Sequence, residues 1–99
     1  MHARIARWEG GDAETVRSTL EEINKQADER GGPPEGVPAK EFFLLTDPNT
    51  GRTLAITLFE TEEEMQQGHQ TLNEMSPPGG GMGNRTGVEM YEVALRRQA

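Results

Sequence analysis

One stretch constrains this chain more than any other: residues 52–75, RTLAITLFETEEEMQQGHQTLNEM, where the hydrophobic period changes once, at a helix start signal. Every residue from 53 to 59 is apolar, small or β-branched, so a strand there has Leu54, Ile56 and Leu58 on one side and Thr53, Ala55, Thr57 and Phe59 on the other. Both sides of such a strand can be covered. Thr61 then offers a hydroxyl to the unpaired N–H groups of a first helical turn, and Glu64 stands three residues later as the second half of a capping box. Glu62, Glu63 and Glu64 suit the positive end of the helix dipole. The chain passes directly from strand to helix here, and the rest has to pack around that unit.

At 99 residues, the whole of 1–99 is expected to be a single domain around one core. That core is lean. Only 32% of residues are apolar, and the twelve Gly and six Pro fall mostly between periodic segments, so a partner subunit would add much to stability. Acidic residues outnumber basic ones 17 to 10, giving a formal charge of −7, which argues against binding nucleic acid or an anionic membrane. No cysteine is present, which excludes disulfides, thiolate metal sites and cysteine nucleophiles and suits the cytoplasm. No apolar run approaches the roughly 18 residues of a membrane span, and the opening MHARIARWEGG lacks the apolar core of a secretory signal. The expectation is a cytoplasmic protein.

Residues 2–9 read as a first strand with Ala3, Ile5 and Arg7 on one face and His2, Arg4, Ala6 and Trp8 on the other. Asp12 is a good N-cap for a helix whose Ala13, Val16, Leu20, Ile23 and Ala27 form one apolar stripe, and Gly31 and Gly32 should end it near Arg30. Residues 40–47 make a second strand. The DPNTG turn, with Pro48 fixing φ and Gly51 free to take positive φ, joins it to the third. The second helix carries Met65, Gly68, His69, Leu72 and Met75 on one face. Residues 76–87, SPPGGGMGNRTG, read as a flexible loop, and 88–95 as the last strand, with Arg96 and Arg97 in a frayed tail.

The order strand, helix, strand, strand, helix, strand predicts an α+β, ferredoxin-like βαββαβ unit: a four-stranded antiparallel sheet with two helices on one face. Helices on one face leave the other bare. Apolar side chains of strands two and three, with Trp8, make that face too large an apolar surface for a small monomer. The expectation is a homodimer in which two sheets pack face to face around a barrel-like core.

At this point the chain resembles the dimeric α+β barrel superfamily, and within it the antibiotic biosynthesis monooxygenase-like domains. The resemblance is carried by the opening ARIARWEGGD, by LLTDPNTGRTLAITLFETEEEM and by the closing VEMYEVAL. It covers nearly the whole chain, but these are scaffold signatures. It implies the dimeric fold and a pocket between sheet and helices, and it spans cofactor-independent oxygenases of polyketide quinones, haem-degrading enzymes and small proteins with no assigned reaction. Phe59 and Glu60 match the aromatic and acid common at the strand-to-helix junction. Haem degradation is not implied: Gly68 stands where such members have a helix Trp, and their His position falls at Pro77 and Pro78. Against the quinone oxygenases the chain supplies Tyr91, Trp8 and Arg7, without an Asn on the inner face of the second helix.

The candidate catalytic residues are His69, Tyr91 and Arg7. His69 lies with Met65 and Leu72 on the stripe that points at the sheet, and an imidazole titrates near neutral pH. Arg7 could pair with an anion and Tyr91 donate a hydrogen bond, so that the three frame a pocket for a small aromatic, acidic or phenolic ligand lined by Met65, Gly68, Leu72 and Trp8. Each has a plainer reading. His69 would be a satisfied half-buried side chain, Arg7 would pair with a nearby Glu, Tyr91 would pack at the sheet edge, Gly68 would admit a close strand, and Trp8 would be core or dimer contact. The run Glu60, Glu62, Glu63, Glu64 is read as capping, and no metal site is expected. The glycine-rich 79–83 segment is no phosphate loop, since it lacks the Lys-Ser/Thr ending and precedes a strand.

Three functions remain open. One is an enzyme that oxidises an aromatic or polyketide-type molecule without metal or flavin, His69 and Tyr91 assisting deprotonation. The second is a non-catalytic ligand-binding domain, and the third a purely structural dimer. The first two need open space at His69; the third needs it filled.

Overall fold

A computed structural model of the chain describes residues 1–47, 49–75 and 83–97. Its elements run β1 (His2–Gly10), α1 (Ala13–Arg30), β2 (Glu41–Asp47), β3 (Arg52–Phe59), α2 (Glu62–Glu74) and β4 (Gly83–Glu92). The four strands form one antiparallel sheet in the order β2, β3, β1, β4, an α+β arrangement consistent with a ferredoxin-like fold.

The start and stop signals act as the sequence predicts. Asp12 accepts from the Thr15 N–H at 3.1 Å, and α1 ends at Gly31, whose φ of 77° lets its N–H return to the Ala27 carbonyl. Thr61 accepts from the Glu64 N–H at 3.1 Å and opens α2. The β2 to β3 turn closes with the Gly51 N–H on the Asp47 carbonyl, Gly51 at φ 72°, while Pro48 lies outside the described residues.

β4 departs from expectation. It begins at Gly83, not Val88, and ends at Glu92, so residues 83–87 belong to the sheet and not to a loop. The cause is tertiary: Gly10, Glu9 and Trp8 of β1 pair with Gly83, Asn84 and Arg85. Residues 76–82 of the expected loop lie outside the described residues. Past β4, the Val93 N–H bonds the Met1 carbonyl and Arg96 lies 3.7 Å from Glu41, so the segment expected to fray crosses the end of the sheet.

The strand registers fix what each face carries. On one face the cross-strand rows are Phe42, Thr57, Arg4, Met90; then Leu44, Ala55, Ala6, Val88; then Thr46, Thr53, Trp8, Arg85. This face receives α2, whose Met65 joins Phe59 and Val37 in the small buried core, with Leu72 and Ala39 packed around it. The opposite face reads Glu41, Leu58, Ala3, Tyr91; then Phe43, Ile56, Ile5, Glu89; then Leu45, Leu54, Arg7, Gly87. Phe43 remains 42% exposed and Leu45 50%. Trp8, expected on the bare face, stands on the helix face instead, because it shares the parity of Arg4 and Ala6.

Candidate functional site

The most unusual buried residue is Arg4, only 3% exposed near the middle of β1. Its partners come from α2. The Nε–H of Arg4 donates to His69 Nδ1 at 3.0 Å, and Nη2 donates to Asn73 Oδ1 at 3.3 Å. His69 and Asn73 are one helical turn apart, so both project from the same side of α2 onto the sheet. Arg85 completes the group, its Nη1 donating to the same Asn73 oxygen at 2.8 Å.

Arg85 reaches this face because of an irregularity. The β1 to β4 register shifts between Arg7 and Trp8, with Arg7 opposite Gly87 and Trp8 opposite Arg85, so Thr86 is the extra residue of a bulge. In an unbroken register Arg85 would take the other parity and point away from α2.

Two guanidiniums converge on one neutral carboxamide oxygen, and among the described residues neither pairs with a carboxylate. The acids pair elsewhere: Glu89 with Arg7, Glu60 with Lys40, Glu9 with Arg52 and Glu41 with Arg96. Burial and then the charge of Arg85 lower the Arg4 pKa. His69 is also lowered, by burial first and then by Arg4 and Arg85, so its imidazole is held neutral. With Nδ1 accepting from Arg4, a neutral ring carries its proton on Nε2, where it faces the Asn73 Nδ2 group 3.1 Å away. Two N–H groups then confront each other. The cluster holds a surplus of donors over acceptors, and an acceptor-rich anion is the chemistry that balances it.

Arg7 and Tyr91 lie across the sheet from this cluster. Arg7 Nε is 2.5 Å from Glu89 Oε1, and the Tyr91 hydroxyl donates to the other oxygen of the same carboxylate. Tyr91 first, then Arg7, hold the Glu89 carboxyl below its usual range; bonding to Glu89 raises Tyr91 in turn, and the Glu89 bond raises Arg7. His69, Arg7 and Tyr91 therefore do not meet within the chain: the sheet separates the first from the other two.

The interior beside His69 is filled. A Cβ on Gly68 would stand 2.5 Å from the Phe59 ring, so the glycine admits a strand side chain, and Met65 is buried against the same ring. Leu72 packs on this cluster, and Trp8 is half-buried opposite Thr53 and Arg85. A groove of about 520 Å³ lies between the end of α1 and the start of β2, bordered by Ala27, Gly32, Pro33, Lys40 and Phe42. None of the seven candidate residues named from the sequence lines it.

Sequence reasoning missed Arg4, Asn73 and Glu89, and read Arg85 only as the one charge of the 76–87 loop. Arg4 carried a readable signal in its shared parity with the apolar Ala6. Asn73 carried another, four residues after His69, and it supplies the side-chain amide on α2 that the sequence reading did not find. Among the described residues no group of three or more His, Asp or Glu is placed to hold a metal ion, and no helix is long and apolar enough to cross a membrane. No protein-family model matches the chain, and a search of curated proteins finds no match.

Proposed function

We propose that this protein is a homodimeric, non-catalytic domain of the α+β barrel type that binds a small aromatic molecule carrying an acidic or phenolic oxygen. The observation that carries the ligand is the buried Arg4, held by a neutral His69 and a neutral Asn73 rather than by a carboxylate. Such a charge is desolvated in advance and ready for an anion. Phe59, Met65 and Leu72 fill the interior beside His69, which meets the condition set for a purely structural dimer and leaves a ligand of the binding reading only the rim between α2 and β4, where it meets the cluster.

The open face supports the dimer. Ile5, Phe43, Leu45, Leu54, Ile56 and Leu58 lie together there. A second copy meets this face about a two-fold axis, apolar centre on apolar centre.

One observation favours a second reading, cofactor-independent oxidation of an aromatic or polyketide-type substrate. His69 is held unprotonated beside two cations, which suits a base whose product is an anion. Native mass spectrometry at gentle and then denaturing energies, followed by oxygen-uptake assays with an anthrone or hydroquinone, separates the readings. A dimer that retains or takes up such a compound without consuming oxygen is the expected result. Oxygen consumption lost in His69→Ala would replace the binding reading with the enzymatic one.

A further inference from the structure

We propose that Asn73 is an internal stand-in for a ligand's oxyanion: a carboxylate or phosphate group binds between the guanidiniums of Arg4 and Arg85 by taking the place of the Asn73 carboxamide oxygen. This rests on the small-ligand reading above and specifies its chemistry. Asn73 Oδ1 accepts from Arg4 Nη2 at 3.3 Å and from Arg85 Nη1 at 2.8 Å, which makes it a single neutral atom bridging two like charges. A charged oxygen in that position gains from both guanidiniums at once, and its bonds are charge-assisted where those of an amide are not.

Three further features fit an exchange. Arg4 is already buried in the free chain, so binding adds little desolvation on that side. Asn73 and Arg85 are exposed, Asn73 on the last turn of α2 and Arg85 near the start of β4, so both can reorient without disturbing the core. The chain has 17 acidic side chains, yet among the described residues none pairs with either arginine, so no internal carboxylate competes for the seat. When Asn73 swings out, its Nδ2 group leaves the Nε2–H of His69, and the donor-to-donor contact disappears. Burial first, and then the charges of Arg4 and Arg85, lower the His69 pKa; the anion offsets the charges, so binding raises the affinity of the ring for a proton.

The variants Asn73→Ala, Asn73→Asp and Arg85→Gln act in different directions. Removing the stand-in leaves the seat open, whereas an aspartate fills it permanently with the chain's own carboxylate. Titration of each variant with sodium phosphate and separately with 4-hydroxybenzoate, followed by calorimetry and by imidazole NMR of His69, gives the test. The expected result is binding by Asn73→Ala at least as tight as wild type, and weakening of at least about tenfold in Asn73→Asp and Arg85→Gln, the loss of one charge-assisted bond. His69 titrates at higher pH in the wild type with ligand present. Wild-type affinity in both Asn73→Asp and Arg85→Gln overturns the seat, and 4-hydroxybenzoate binding that persists in them leaves the small-ligand reading standing at another location. Phosphate binding with the expected variant pattern but no aromatic binding keeps the seat and removes the aromatic ligand. Absence of binding by both probes overturns both.

Discussion

The two faces of the sheet exchange the roles that a small monomer usually gives them. The sheet residues buried under α2 are Arg4, Thr53 and Thr57, with the apolar Ala6 and Phe59 beside them. Facing outward are Ile5, Leu54, Ile56 and Leu58, half-covered only by their neighbours, with Phe43 and Leu45 more exposed still. Across the two central strands, β3 and β1, the covered side is the more polar and the open side the more apolar; on the outer strands Phe42, Leu44, Val88 and Met90 share the covered side, and Glu41 and Glu89 the open one. Burial by a helix and burial by a partner thus ask for different residues: the first can satisfy polar groups with side chains such as His69 and Asn73, and the second needs a broad apolar field.

The contrast breaks most decisively at Ile56, the centre of the open face between Ile5 and Phe43. In the proposed dimer, Ile56→Glu places an unpaired carboxylate in each half of the interface, and association should weaken at least a hundredfold, roughly the cost of burying uncompensated charge. Sedimentation equilibrium should show the variant as a monomer with its helix content kept. A wild-type protein that is itself monomeric at micromolar concentration would mean that the open face needs no partner.

A smaller effect sharpens the covered side. Gly68→Ala gains helix propensity of about 1 kcal/mol, but its methyl group meets the Phe59 ring, and overpacking costs about 1–3 kcal/mol. The 2.5 Å separation puts this site among the tight cases, so net destabilisation is expected in urea unfolding, with recovery when Phe59→Leu is added. Stabilisation by Gly68→Ala alone would reveal spare room beside His69.

The smallest effect concerns His69. Its folded pKa lies below the ordinary value, so the unfolded chain takes up a proton first as pH falls. Stability from this group is therefore complete above the ordinary histidine pKa of about 6.5 and declines as pH drops below it. His69→Gln should flatten that part of the profile, measured as melting temperature against pH. An unchanged slope would separate His69 from the arginines.

Much of the architecture was legible because its signals are local. Asp12, Thr61 and Gly31 cap the helices where expected, and the period change at residue 60 marks the passage from β3 to α2. β4 was half legible, since Gly83, Asn84 and Thr86 have loop chemistry and only pairing with β1 makes them strand. The candidate site was less legible still. Both sides of β3 are apolar or β-branched, so alternation alone did not say that Thr53 and Thr57, and not Leu54 and Ile56, would lie under the helix. Arg7, Tyr91 and His69 were grouped by chemistry, but Arg4 and Arg7 differ in parity, and a helix on one side of a sheet can meet only one of them.

The bulge at Thr86 divides β4 into two pieces of opposite phase. Upstream of it Arg85 serves the α2 side; downstream, Glu89 and Tyr91 serve the open side at positions an unbroken count from Arg85 would also give. A single residue thus sends odd-numbered side chains of one strand to two different surfaces. The electrostatics of the proposed ligand seat and of the open face proposed for a second copy can therefore change independently, although one ten-residue strand supplies both. Deleting Thr86 would leave Arg85 opposite Trp8 and Gly87 opposite Arg7 in a regular ladder, so the Arg85 charge would stay on the α2 side and only the local bend and twist of the bulge would be lost.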